Sequence, residues 1–294
     1  GLRHASICLK MARHFARTGQ WELAEEYGER SARSYAEWGL TTAMLFNAVN
    51  GDWEQSYRYA VAAGGRYGTL SLAYHAVLKD APLDAPDAGR LVQWVKDDKD
   101  DGISREITLA GVDYALGAPQ KALQRLEKVF APGNTYALWQ MITLLLEKKH
   151  GDPERAQTML AEFIDVTRKR LERKPKSVHD TTKACLELAV AWQDCLTKAD
   201  DEASVERLVA TVEETEKTFG KRRRAVDLRF IMGQMLEGVG RDETAFRLYR
   251  DALKVYTSGR TAELLVYKRL RELGHNPIEL LKDRVAKREL WPDW

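Results

Sequence analysis

Six histidines and three cysteines are the residues of this 294-residue chain best suited to metal or nucleophilic chemistry, and their spacing limits what they can do. A metal-assisted hydrolase needs two histidines one helical turn apart with a glutamate beside them, or cysteines and histidines at metal-ligand intervals. His4, His14, His75, His150, His179 and His275 form neither pattern. His4 and His14 flank Cys8, but ten residues between two ligands takes them off one bonding face of a helix. His179-Asp180 reads as part of a helix start. No Ser/His/Asp or Cys/His nucleophile set follows from residues this far apart in the chain. The acidic turn Asp97-Asp98-Lys99-Asp100-Asp101-Gly102 brushes the calcium-loop pattern. It places Lys99 at the second ligand position and Thr108 where a bidentate glutamate belongs, so calcium is not expected. The stretch from Ala62 to Gly68 is Gly-rich but lacks the Lys-Ser/Thr pair and the preceding strand of a phosphate loop. These residues read as structural or solvated. The chain is expected to be non-enzymatic, with no catalytic residue, metal or cofactor.

Two basic runs carry the charge that could recognise a partner. From Arg168 to Lys176, including Arg168, Lys169 and Arg170, six basic residues face only Glu172. Lys221, Arg222, Arg223 and Arg224 stand four in a row. Basic residues near a helix C-terminus are stabilised by the helix dipole, by about 0.3–1 kcal/mol each at low salt, and the Arg168 cluster suits that role. The sharper reading is a patch for RNA or an acidic partner. Neither run is interleaved with the aromatics that single-strand binders use for stacking. Overall charge is balanced, at a formal +2.

The cysteines Cys8, Cys185 and Cys195 are few and odd in number, which favours a cytoplasmic setting. Cys185 and Cys195 fall on one predicted helix, about 15 Å apart along its axis, too far for a disulfide. No stretch of 18 or more apolar residues appears, so no membrane span is expected. The chain opens on Gly1 rather than Met, which points to a processed chain or a piece of a longer protein.

The elements that carry these residues are set by a repeat. Gly19, Gly51, Gly117, Gly151, Gly240 and Gly274 mark it, with Leu83 and Asp200 in the same context. Successive marks lie 32, 32, 34, 34, 49, 40 and 34 residues apart. Five positions after the marks stand Ala24, Ser56, Ala88, Ala122, Ala156, Val205, Ala245 and Glu279. Positions nine and twelve after the marks are also small or apolar in most units, and the three offsets share one helix face. Each Gly follows one apolar-periodic stretch and precedes another, as a helix-ending Gly does. Helix-start residues follow, as in Gly151-Asp152-Pro153-Glu154. The unit is helix, tight Gly turn, helix, near 34 residues long and repeated eight times. Strand signals are nearly absent. Pro175 and the long step after Gly151 divide the chain into an N-terminal array, 1–174, of five units and a C-terminal array, 175–294, of three, probable parts of one continuous solenoid in this reading. Asn276 to Trp294 is expected to form a capping helix with a tail. There Ile278, Leu281 and Val285 share one stripe, and removing it should expose the Gly240 unit.

These residues resemble the tetratricopeptide repeat (TPR) family. Met232-Gly233, Leu236, Gly240, Ala245, Tyr249 and Ala252 match its signature position by position. Gly111-x-x-Tyr114 with Gly117 and Ala122 matches with a turn one residue shorter, and Trp139-x-x-Ile142 with Gly151, Ala156 and Leu160 with a turn one residue longer. The resemblance covers nearly the whole chain and is weakest at Leu83, Asp200 and Gly274. It implies an all-α fold, a right-handed α-α superhelix (TPR-like solenoid) of about eight helix pairs, with a concave groove that binds protein or peptide. By the family pattern the groove would carry Arg13, Thr42, Leu45, Tyr74, Met141 and Leu145. Asp194, Gln234 and Lys268 would follow further along the chain. The Lys/Asn clamp that some relatives use for a terminal carboxylate is broken here by Leu9, Arg13, Thr42, Leu70 and Tyr74. The expected function is a non-catalytic protein-protein interaction scaffold. Alternatives are a regulatory or sensor arm of a larger protein, and RNA or acidic-partner binding through the basic turns.

Overall fold

The computed structural model describes residues 1–63, 65–81, 86–87, 89–90, 93, 102–129, 141, 152–173, 180–198, 201–219, 225–253 and 261–286. Among these residues the fold is all-α, with fourteen helices and no strand. The first six are α1 (Leu2–Arg17), α2 (Trp21–Ala32), α3 (Glu37–Asn50), α4 (Trp53–Ala62), α5 (Gly65–Lys79) and α6 (Gly102–Ala115). Next come α7 (Pro119–Val129), α8 (Pro153–Arg173), α9 (Asp180–Thr197) and α10 (Glu202–Phe219). The last are α11 (Ala225–Gly238), α12 (Asp242–Ala252), α13 (Thr261–Glu272) and α14 (Pro277–Ala286).

Five of the glycine marks fall on described residues, and each turns the chain through a left-handed backbone conformation. Gly19, Gly51, Gly117, Gly240 and Gly274 have φ values of 76°, 82°, 82°, 74° and 86°. At Gly51 the reason is visible in the hydrogen bonds. Gly51 N donates to Ala48 O, and Asp52 N donates back to Asn47 O at 2.9 Å, closing the last carbonyls of α3. Asp52 then accepts from Gln55 N at 3.0 Å and so starts α4. Asp52→Ala is therefore expected to lower stability by about 1 kcal/mol in urea unfolding, the usual worth of an N-cap. The marks at Leu83, Gly151 and Asp200 lie outside the described residues, as does the acidic turn Asp97 to Asp101.

The helix face inferred from the marks is the packed one. Ala24, Ser56, Ala122, Ala156 and Ala245 are buried, and so are Ala60, Leu126, Leu160 and Tyr249 nine positions after their marks. The Asp200 unit departs from this pattern. Val205 and Val209 are only half-buried, while Ser204 and Leu208, one residue earlier, are buried. Leu208 and Val212, four apart, form the apolar stripe of α10 and set which face turns inward.

The chain packs as two compact units, Gly1–Ala118 with Leu253–Trp294, and Pro119–Ala252. The boundary expected at 174/175 falls in 174–179, outside the described residues. In the first unit α1 pairs with α2 and α3 with α4, α2 packs on α3, and α5 lies on α3 and α4. Trp21 reaches the next pair, its ring edge-on to Phe46 at 6.3 Å. The C-terminal helices then join this same unit: α13 packs on α5 and α6, and α14 on α1 and α3. The C-terminal helix α14 thus covers the first helices of the chain. Leu281 and Val285 seat against the small residues Ala12, Ala16 and Ala24, with Phe46 and Val49 completing the cluster. Alanines let the two backbones approach closely. On the other side of α14, Glu279 and Asp283 are exposed.

In the second unit α8 packs on α9, α9 on α10, α10 on α11 and α11 on α12. Glu216 of α10 bridges Arg229 of α11 at 3.2 Å and Arg247 of α12 at 3.0 Å. Arg229 also donates to Asp251 O at 3.2 Å, so one carboxylate and one guanidinium tie three helices.

Candidate functional site

A cavity of about 450 Å³ opens in the first unit where α5, α6 and α13 meet. Two helix ends shape it. Past the end of α5, Asp80 takes a left-handed conformation (φ 61°) and Ala81 N donates to Ala76 O at 3.0 Å. Past the end of α6, Gly117 N donates to Tyr114 O and Ala118 N to Asp113 O at 2.8 Å. The small apolar residues Ala76, Val77, Ala81, Ala115 and Leu116 line the cavity beside the charged Asp80, Lys268, Arg271 and Glu272.

The charges form two groups, one around Arg271 and one around Glu272. Arg271 donates through Nη2 to Leu78 O at 2.6 Å, and its Nη1 stands 3.3 Å from Asp80 Oδ1. Lys268 pairs with Glu272 and lies 5.4 Å from the centre of the Tyr114 ring. Arg269 donates to the other oxygen of Glu272 at 2.7 Å. Burial works against the Glu272 carboxylate, but the hydrogen bonds from Lys268 and Arg269 outweigh it and hold its pKa below the ordinary value.

Beside these two groups the unit buries a further set of ionisable side chains. Arg284 of α14 donates to Glu263 and, at 2.8 Å, to Tyr267 Oη, both on α13. Tyr74 of α5 meets the Tyr267 ring edge-on at 6.2 Å. All four side chains are buried. Burial pushes the Tyr267 hydroxyl up to about 12 and that of Tyr74 well above its usual value, in the latter case with help from Glu263. Burial opposes the charge on Arg284, but Tyr267 and Glu263 outweigh it and raise its pKa.

No protein-family model matches the chain, and no curated protein matches it either.

The groove residues expected from the sequence divide between the two units. Thr42 is buried and donates to Trp38 O at 2.7 Å in its own helix. Leu45 packs on the cluster around Ala12 and Leu281. Arg13 is half-buried. Tyr74 and Lys268 come to the same α5/α13 contact, Tyr74 within it and Lys268 at the cavity. In the second unit Met141 is buried, Asp194 accepts from Arg207 at 2.8 Å, and Gln234 keeps a buried Oε1 without a hydrogen-bond partner. Leu145 lies outside the described residues. Of the basic patch, Arg168, Lys169 and Arg170 are exposed on the last turns of α8, with Lys169 paired to Asp165 at 2.7 Å. Lys221, Arg222, Arg223 and Arg224 lie outside the described residues.

One hydroxyl–imidazole contact escaped the sequence reading. Ser56 Oγ lies 3.0 Å from His75 Nδ1, the kind of contact that activates a nucleophile. Here it is sealed: Ser56 is 0% exposed, and the rings of Trp53 and Tyr57 stand 5.9 and 5.7 Å from the imidazole. Nineteen residues of sequence separate the pair, and no local pattern announces it. Burial, aided by Lys79 and opposed by Asp87, lowers the His75 pKa to about 4. The unfolded chain therefore binds a proton near pH 6.5 that the folded chain refuses until about pH 4. Above pH 6.5 the imidazole is neutral in both states and its contribution is complete. As pH falls from 6.5 towards 4, stability drops by about 2 kcal/mol after allowance for solvent screening. His75→Asn, which can keep a hydrogen bond to Ser56, should flatten this part of the stability–pH curve in urea titrations. An unchanged slope would remove His75 as its source.

All three cysteines are free, Cys8 and Cys195 being buried. Cys195 donates to Ser204 O at 3.1 Å, and burial, reinforced by Asp194 and Asp201, raises its pKa. Among the described residues no group of His, Cys, Asp and Glu is placed to hold a metal ion, and no helix is long and apolar enough to cross a membrane.

Proposed function

We propose that the chain is a non-catalytic scaffold that binds a segment of a partner protein. The observation that carries this reading is the repeated turn. Five glycines at the sequence marks adopt the same left-handed conformation, and the marked turns at Gly19, Gly51 and Gly240 each join two packed helices. Helix pairs repeated in this way build extended surfaces from first helices, which suits recognition of a peptide better than enclosure of a reaction. The likeness to TPR proteins, the right-handed superhelix with its concave groove and a cytoplasmic setting belong to the same proposal, as does the alternative of a regulatory arm within a larger protein. Affinity is expected in the micromolar range, since ordering the peptide offsets much of the gain from burial.

A second reading has one observation in its favour. Arg168, Lys169 and Arg170 project from the end of α8 into solvent, where RNA or an acidic partner could reach them.

Selection from a random peptide library displayed on phage tests the first reading. The expected result is a short shared consensus whose synthetic peptide binds the folded chain in solution. A selection that enriches nothing, alongside single-stranded RNA binding that falls steeply with salt and is lost in Arg168→Gln/Lys169→Gln/Arg170→Gln, would overturn it in favour of the second.

A further inference from the structure

We propose that the cavity between α5, α6 and α13 seats an apolar side chain of a partner peptide, and that a carboxylate beside it on the peptide replaces Asp80 on Arg271. This rests on the peptide-binding reading and gives it a place and a partner chemistry.

The cleft is open to solvent and large enough to admit a side chain. At about 450 Å³ it is roughly fifteen times the ~30 Å³ share of one water, and it falls within the usual range of ligand pockets. Five small or aliphatic side chains supply its apolar lining, so filling it with a Leu or Phe removes apolar surface from water on both sides.

The cations beside it are arranged for an anion. Arg271 is anchored through Nη2 on Leu78 O, which fixes the guanidinium plane. Its Nη1 is buried and has no hydrogen-bond acceptor, only the looser ion contact with Asp80 at 3.3 Å. The Asp80 side chain is 79% exposed, so it is held weakly and can swing into water. Asp80 also occupies the left-handed position that glycine takes at five marked turns of this chain. Aspartate tolerates that conformation, and its carboxylate is thereby presented to Arg271 as an internal stand-in for a ligand. Among the described residues Lys268, Arg269 and Arg271 outnumber Glu272 and Asp80 by one charge. The C-terminal ends of α5 and α6 add partial negative charge nearby, which is reduced where the Ala81, Gly117 and Ala118 N–H groups and Arg271 bind carbonyls of their last turns. An acidic peptide is therefore favoured over a basic one.

Fluorescence anisotropy with labelled decapeptides tests the site. The probes carry Leu-Glu, Leu-Gln, Leu-Lys or Ala-Glu at the centre of a Gly/Ser background. Leu-Glu is expected to bind at least tenfold more tightly than Leu-Lys or Ala-Glu. Asp80→Asn removes the competing carboxylate and should tighten Leu-Glu binding several-fold, an outcome that a merely structural Asp80 would not give. Arg271→Gln should erase the preference for Leu-Glu over Leu-Gln. Ala81→Leu fills the cavity while keeping the backbone bond to Ala76 and should weaken binding tenfold. Lys268→Gln serves as a second variant should Ala81→Leu melt early by circular dichroism. Weaker binding in Asp80→Asn, or equal binding of all four probes, overturns the proposal. Library-selected peptides whose binding ignores both Ala81→Leu and Lys268→Gln overturn this site and leave the scaffold reading standing. Failure of the library and of every probe overturns both.

Discussion

Arg284→Met is expected to destabilise the chain by about 3–5 kcal/mol, read as a fall in the urea midpoint at unchanged slope. Arg284 is 3% exposed, and its partner Glu263 is 8% exposed. Taking either charge out of water costs several kcal/mol, and among the described residues their mutual contact, the Tyr267 hydroxyl and a hydrogen bond between Tyr74 and Glu263 offset it. Removing the arginine leaves Glu263 buried and unpaired beside two tyrosines. Glu263→Leu should cost a similar amount for the opposite reason, since it strands the guanidinium. The double variant Arg284→Met/Glu263→Leu should recover most of the loss, because apolar groups of similar size need no partner. Arg284 Nε and Nη2 are already without hydrogen-bond partners, which makes the double variant more favourable still. Single variants within 1 kcal/mol of the parent, or losses that simply add in the double variant, would show that the pair is not coupled.

That pair explains why part of this structure was legible in the sequence and part was not. The glycine marks were legible because a left-handed turn is a local demand, and Gly51 or Gly240 meets it with its immediate neighbours. The buried faces followed from small residues three and four apart, which is again local. The docking of α14 on α1 and α3 was hidden. It depends on a match between Leu281 and Val285 and an alanine seam more than two hundred residues away, and many apolar stripes could have claimed that seam. Arg284 did leave a signal. With Pro277 and Leu281 it completes a stripe at i, i+4 and i+7, so an arginine there needed a buried partner. The partner's identity needed the fold.

The candidate site shows the same division. The resemblance to TPR proteins puts Lys268 among the groove positions, and in the structure it borders the cavity between α5, α6 and α13. Arg271 was not singled out, because its role depends on a carbonyl, Leu78 O, 193 residues earlier in the chain. Thr42, Tyr74 and Met141, named by the same resemblance, are buried. First helices here meet neighbours on several sides, as α3 does with α2, α4, α5 and α14. A position that the family pattern assigns to the groove therefore faces a neighbouring helix as readily as solvent.

Gly233→Ala is expected to cost about 3 kcal/mol, against the roughly 1 kcal/mol that alanine would gain in an isolated helix. Gly233 lies within α11, away from any turn, where flexibility is a liability. Its use is contact. A Cβ there would stand 2.3 Å from Tyr249 Cε1 and 2.8 Å from Cδ1, far inside van der Waals separation. The ring cannot retreat easily. Tyr249 is 0% exposed, its hydroxyl donates to Glu237 Oε2 at 2.9 Å, and the Phe230 ring lies 5.9 Å away. The backbone of α11 must therefore lift off α12, and with it the Arg229–Glu216 bridge to α10 is strained. Tyr249→Leu alone should also destabilise, by vacating space and leaving Glu237 without its donor. Combined with Gly233→Ala, however, it makes room for the new methyl, so the double variant should lose less than the sum of the two single losses. Thermal melts and urea titrations of the two single variants and the double close this cycle. A Gly233→Ala chain as stable as the parent would mean that the α11/α12 contact is looser than the ring geometry requires, and that Gly233 is there for some reason other than the approach of Tyr249.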